Sequence, residues 1–186
     1  MKTGTTREKL LNEGLRIVQS KSYAGLAFDE LAERVGIRKA SIYHHFADKE
    51  TFGVEILNAT CEEIGNFFDS QAEPTARGRL VAYVESMGAV IGAGERLCPG
   101  LAMTANWGAL PTRVRSGLER LAEVHLQGIR RIFERGIADG SLLSSADSEL
   151  RAQMLVSAVQ GALMLARTKS DAKVYKNVMD HLIASL

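Results

Sequence analysis

Apolar residues recur along this chain at intervals of three and four. Leu10, Leu11, Leu15 and Val18 form one stripe, and Phe28, Leu31, Ala32 and Val35 form another at the i, i+3, i+4, i+7 spacing of a helix face. Strand-like alternation is nearly absent, so the fold class is all-α. The punctuation agrees. Thr5 followed three residues later by Glu8 is a capping box that opens the first helix. Gly36 closes the second, where a residue without a side chain turns at least cost. Asp48 is placed to cap a helix from Lys49 to about Asp69. Between Gly36 and Asp48 there is room for about two turns, Arg38 to Phe46, with Ile42 and Phe46 four apart on the inward face. The order is helix, tight turn, short helix with its polar face outward, a helix-turn-helix.

Further along, "SQAEPTARG" at 70–78 is the clearest compositional break. A helix from about Ala76 to Ala93 follows, burying Leu80, Tyr83, Val84, Met87 and Ile91. "GAGERLCPG" reads as a loop and "LAMTANWGAL" as a short apolar helix. Pro111 opens a helix from about Thr112 to Ala138 that stops at Gly140, and two more run from about Asp147 to Arg167 and Ala172 to Ser185. The pattern predicts about nine helices and no sheet.

Composition narrows the function. With 186 residues, 46% hydrophobic and 24% charged, the chain is an ordinary soluble one, and its net charge of +1 means that binding to a polyanion would need a local arrangement of cations. "RKASIYHHFADKE", residues 38–50, is such an arrangement. Cys61 and Cys98 are the only cysteines, too few and too far apart for a zinc cage or a disulfide framework, which points to a reducing cytoplasm. No apolar run approaches a membrane span and no signal-peptide core forms near the start, so no membrane partner is expected. His44 and His45 point about 100° apart on a helix and cannot chelate together, so no metal is expected. No nucleophile with an adjacent base and no phosphate loop suggests an enzyme, and no cofactor is implied.

The run "YAGLAFDELAERVGIRKASIYHHFADKETF" resembles the DNA-binding domain of the TetR family of bacterial transcriptional repressors. Gly36, Ile37, Ala40, Ser41, Ile42, Tyr43, His45, Phe46, Lys49 and Glu50 all match the family's pattern across the turn, recognition helix and next helix start. The resemblance implies a three-helix DNA-binding domain, taken as residues 1–52, and a larger helical effector-binding and dimerisation domain, 53–186. It implies double-stranded DNA contacts from Lys39, Ser41, Tyr43 and Lys49, with Thr6 and Arg7 on the N-terminal arm as further backbone candidates. The chemistry agrees, since a recognition helix presents its leading end to base edges and its flanks to phosphates. Arg38 departs from the family's usual residue and is placed to read a guanine or grip a phosphate. His44 is expected to face the groove and His45 to pack beside the third helix. Two other departures oppose binding: Ala27 lacks the hydroxyl usual there, and Asp29 would repel the DNA backbone, serving only the dipole of its helix.

In the second half, Tyr83, Met87, Met103, Asn106, Trp107, His125, Gln160 and Met164 are candidates to line an effector pocket for a lipophilic or planar small molecule. The pocket itself is implied by the family resemblance. Core packing is the competing role for each of them. Ser157, Ala158 and Gly161 leave room for close helix approach, and Val174, Val178 and Leu182 give the last helix a stripe; the resemblance implies a four-helix homodimer interface here. Cys98, in a loop beside Arg96 and before a helix start, is expected to be more exposed than Cys61 and is a candidate redox or electrophile sensor, the alternative being an inert buried thiol. A helical adaptor or small enzyme with a borrowed helix-turn-helix is the alternative to a ligand-responsive, operator-binding dimeric regulator.

Overall fold

The computed structural model describes residues 5–70, 73–142 and 147–185. Among them are nine α-helices and no strand: α1 (Thr6–Lys21), α2 (Phe28–Val35), α3 (Lys39–Tyr43), α4 (Lys49–Asp69), α5 (Ala76–Val90), α6 (Pro99–Thr104), α7 (Thr112–Ala138), α8 (Ser148–Lys169) and α9 (Ala172–Ala184), with a 3₁₀ turn at Trp107–Ala109. No described helix is long and apolar enough to cross a membrane. The chain forms two compact units, one of Met1–Glu62 with Pro99–Leu121 and the other of Glu63–Cys98 with Ala122–Leu186.

Local signals set the ends of the first elements. Thr5 accepts from the Glu8 amide while the Glu8 carboxylate accepts from the Thr5 amide, the reciprocal capping box. Gly36 ends α2 at φ 74°, and the Ile37 amide donates to the Ala32 carbonyl at 3.0 Å, closing the turn. The Asp48 carboxylate accepts from the Thr51 amide at 2.6 Å and opens α4.

Caps do not hold α2 and α3 in place. At eight and five residues both fall well short of the roughly 12–15 needed for a helix to persist alone, so packing must fix them. In the first unit Phe28, Phe46 and Phe52 meet edge to face, with centroids 5.7 Å apart for Phe28–Phe52 and 4.5 Å for Phe46–Phe52. Leu10, Ile17, Leu31, Ile42 and Ile56 close around them, each at most 2% exposed. α1 must approach this cluster closely: a Cβ on Gly14 would sit 2.3 Å from the Phe52 ring. The third helix is shorter than the expected Arg38–Phe46, because Arg38 is extended and caps it. The coil nevertheless continues tightly enough for the Phe46 amide to reach the Ile42 carbonyl at 2.9 Å.

In the second unit, α8 packs mainly on α9, and α5 lies against both. The Tyr175 hydroxyl donates to the Val84 carbonyl at 2.7 Å, fixing α9 to α5. Tyr83 stacks on Phe68 with centroids 5.6 Å apart.

Candidate nucleic-acid interface and sensing region

Two buried residues orient α3. Ile42 is 0% and Phe46 2% exposed, which turns the rest of this single-turn helix outward. Arg38, Lys39, Ala40, Tyr43 and His44 are exposed and Ser41 is half-buried. The residues expected at the leading end of a recognition helix therefore face solvent, Ser41 only in part. His45 is exposed too, rather than packed beside the helix as expected; its ring meets the Phe46 ring only at 6.4 Å and a tilt.

The cations here are not equally free. Lys39 Nζ lies 2.9 Å from Asp29 Oδ2, and the hydrogen bond to that carboxylate raises the lysine pKa. Asp29 thus has a partner besides its helix dipole. Lys49 Nζ donates to the Ala24 carbonyl at 3.2 Å and sits 4.9 Å over the Tyr23 ring; partial burial lowers its pKa. Arg7 is pinned as well, with Nη2 2.7 Å from Glu55 Oε2 and the guanidinium 5.2 Å over Phe46. It ties α1 to α4. Thr6, in the first turn of α1, is exposed.

Between the start of α2 and α3 lies an open hollow of about 310 Å³ bordered by Ala27, Asp29, Lys39, Tyr43 and Lys49. Ala27 makes no side-chain cap, so the leading amides of α2 have no side-chain oxygen on them, an arrangement suited to a phosphate oxygen. The Tyr43 ring stands edge-on to Phe28 with centroids 5.5 Å apart, which fixes the direction of its hydroxyl.

The candidate sensing residues do not form one set. Within the second unit Tyr83 and Met87 are buried, and the Tyr83 hydroxyl lies 3.0 Å from His125 Nδ1, with His125 only 4% exposed. Burial lowers the imidazole pKa to about 4 and pushes the phenol far above its ordinary value, so both are neutral near pH 7. Gln160 is half-buried. Met164, expected inside, is 39% exposed on the outer side of α8. In the first unit Met103 is fully buried, whereas Asn106 and Trp107, also expected to be enclosed, are exposed around the 3₁₀ turn. Cys98 reverses expectation: it is 7% exposed, and Cys61 is the more accessible thiol, though burial raises its pKa against the opposing pull of Arg120. The loop carrying Cys98 turns the thiol inward.

The sequence reading missed a charged hollow. In the second unit a cleft of about 40 Å³ beside Phe67, Phe68 and Ile132 adjoins one of about 80 Å³ edged by Arg79, Arg131 and Arg135. The signal was Arg131 and Arg135 four apart on α7. Both spaces fall well below the roughly 300 Å³ of a typical ligand site.

The outer face of α8 is apolar. Leu150, Met154 and Leu165 are each more than half exposed, and Ser157 and Gly161 lie exposed between them. A Cβ on Gly161 would meet nothing within 4 Å. On α9 Val178 is 40% exposed, with Val174 and Leu182 half-buried. Among the described residues no group of three or more His, Cys, Asp or Glu could hold a metal.

A short helix with a buried apolar anchor and an exposed polar leading end, followed by a larger all-helical region, defines a helix-turn-helix regulator. Residues 10–55 match the family model for bacterial regulatory proteins of the tetR family, and 76–182 match the tetracyclin repressor-like C-terminal domain. The chain belongs to the TetR family of transcriptional regulators, proteins that act by binding and not by catalysis. It is 26% identical over 165 residues to the transcriptional regulator AcuR of Cereibacter sphaeroides, covering 86% of this chain and 75% of the relative. It is 24% identical over 188 residues to the transcriptional repressor NemR of Escherichia coli, covering 95% and 92%. The crystal structure of a TetR-family regulator from Agrobacterium tumefaciens superposes with a TM-score of 0.89 at 20% identity over 97% of each chain, and the reduced form of E. coli NemR with 0.80 at 25% identity over 95% of each.

Proposed function

We propose that this protein is a homodimeric repressor that binds a near-palindromic operator and is released by a small molecule. The observation carrying the reading is the outward display of Arg38, Lys39, Tyr43 and His44, with Ser41 half-buried among them, over the buried Ile42 and Phe46. Residues 1–52 form the operator-binding part and 53–186 the sensing and dimerising part. Lys39 and Arg38 read base edges, while Tyr43, the amides opening α2 and the ammonium of Lys49 engage phosphates, with Ser41, His44 and Thr6 flanking them. NemR is named a repressor, which favours repression over activation here.

Dimerisation supports this function directly. The exposed apolar face of α8, with Ser157, Ala158 and Gly161 permitting close approach, together with Val174, Val178 and Leu182 of α9, is a surface that a second copy would cover. Twofold symmetry then presents two α3 helices to half-sites about 34 Å apart or a multiple of it. The effector is a lipophilic or planar small molecule, and the Tyr83–His125 pair supplies its polar anchors beside Met87. Release requires the effector to prefer a conformation with misplaced recognition helices, so operator and effector weaken each other by the same factor.

A mobility shift tests the reading. The duplex upstream of the protein's own coding sequence should bind about 10³-fold or more tighter than a random duplex of equal length. Equal affinity for the two at physiological salt would sink the regulator reading.

A further inference from the structure

We infer that Asp29 is a specificity-determining residue that holds Lys39 for base readout and withdraws its charge from phosphates. The inference rests on the operator-binding reading above and deepens it. Asp29 stands in the first turn of α2 and Lys39 in the first turn of α3, so the pair spans the helix-turn-helix at the edge of the open hollow. Their charged atoms are 2.9 Å apart, and the side chains remain 46% exposed for Lys39 and 77% for Asp29. The contact is therefore accessible to DNA rather than sealed in the core.

An ammonium group has three N–H donors and a carboxylate accepts without donating. Asp29 takes one donor and leaves two, which matches the two acceptors, O6 and N7, that guanine shows in the major groove. A free lysine side chain samples many rotamers, which limits how well it reads a base unaided. Anchoring its end to α2 removes part of that freedom before DNA arrives. The same contact acts in the opposite sense on random DNA. There the ammonium has no matching base, stays on Asp29, and adds no net charge toward the phosphates. Lys49 is held only by neutral groups, the Ala24 carbonyl and the Tyr23 ring, so its charge stays available to phosphates and the muting is particular to Lys39. In a chain of net charge +1, specificity then comes from arrangement rather than from bulk attraction.

Asp29→Asn tests this, because the exposed position tolerates the change and the amide keeps the shape. The probes are the tightest duplex recovered by repeated selection from a randomised pool on the wild-type protein, and a scrambled duplex of the same composition. The variant should bind the scrambled duplex about three- to fivefold tighter, as expected for freeing one exposed ion pair, with its salt slope steeper by about one charge. It should bind the selected duplex no tighter, so that the ratio of the two affinities falls. Asp29→Glu should keep most of the ratio. In a Lys39→Ala background the Asp29→Asn change should leave the ratio where Lys39→Ala alone puts it. A plain repulsion between Asp29 and DNA predicts otherwise: equal tightening on both duplexes, persisting without Lys39. That result overturns the inference and leaves the regulator reading intact, whereas a wild-type protein that recovers no preferred duplex overturns both.

Discussion

The surface around α3 and the outer face of α8 are both exposed, and they are exposed for opposite reasons. Around α3 two large residues, Ile42 and Phe46 just beyond the helix, go inward and the charged groups go outward. Two of the cations nearby are held by short local contacts, Lys39 by Asp29 and Lys49 by Ala24. On α8 apolar residues occupy both sides: Leu155, Val156, Val159 and Leu163 are buried while Leu150, Met154, Met164 and Leu165 are exposed. A polar surface over a small apolar anchor needs nothing further to be stable in water. An apolar surface of this extent does, and in the proposed dimer a second copy of the chain would supply it.

That contrast can be broken most forcefully at Gly161. Replacing it with arginine places a charged side chain where a neighbouring helix would approach, yet the open space around the position means the isolated subunit should fold unchanged. The expected result is a monomer by light scattering with native helicity, and operator affinity lower by about a hundredfold or more, since two linked half-site contacts become one. A monomeric variant binding the operator at full strength would show that the α8 face has no part in DNA recognition.

This difference also explains what could be read from the residues. The helix-turn-helix was legible because its signals are local and chemically distinct: a capping box at Thr5 and Glu8, a left-handed glycine at 36, an aspartate cap at 48 and two apolar residues four apart. The inside and outside of α8 were not, because Met154 and Met164 look like core in one dimension and only packing on α9 decides otherwise. Trp107 and Asn106 misled similarly, since a 3₁₀ turn interrupts the helix that would have carried them inward. Cys98 was placed by the polarity of its neighbours, but the direction of its side chain depends on a loop whose course no spacing reveals. The Lys39–Asp29 pair joins residues ten apart across a turn, visible once the turn is built and not before.

A second test compares a polar pair in the interior with the ion pairs on the surface. His125 has its pKa lowered by burial from 6.5 to about 4. Between those values the unfolded chain binds a proton that the folded chain refuses, so unfolding free energy rises with pH across the window. The stabilisation is fully present above about pH 6.5 and is lost as pH falls toward 4, amounting to about 3 kcal/mol over that range. Urea titrations at intervals from pH 4 to 7 should show this slope in the wild type and a much shallower one in His125→Gln. Equal slopes would mean that the imidazole is hydrated in the folded state and that the Tyr83 hydrogen bond does not shield it.

The smallest expected effect separates the two kinds of contact within the α3 surface itself. Tyr43 is half-exposed, with its ring edge-on to Phe28 and its hydroxyl beside the open hollow at the start of α2. Tyr43→Phe removes the hydroxyl and leaves the ring contact, so stability should stay within about 0.5 kcal/mol of the wild type. If the hydroxyl donates to a phosphate, the loss is that of one exposed hydrogen bond, about 1 kcal/mol or roughly fivefold in affinity. Phosphates are the same in every sequence, so operator and random duplexes should lose equally, unlike the change at Asp29, which alters their ratio. The salt slope should hold, because a neutral hydroxyl displaces no counterion. Unchanged affinity on both duplexes would remove Tyr43 from the phosphate contacts and leave it as a ring that positions α3 against Phe28. A loss confined to the operator would instead move it among the residues that read bases.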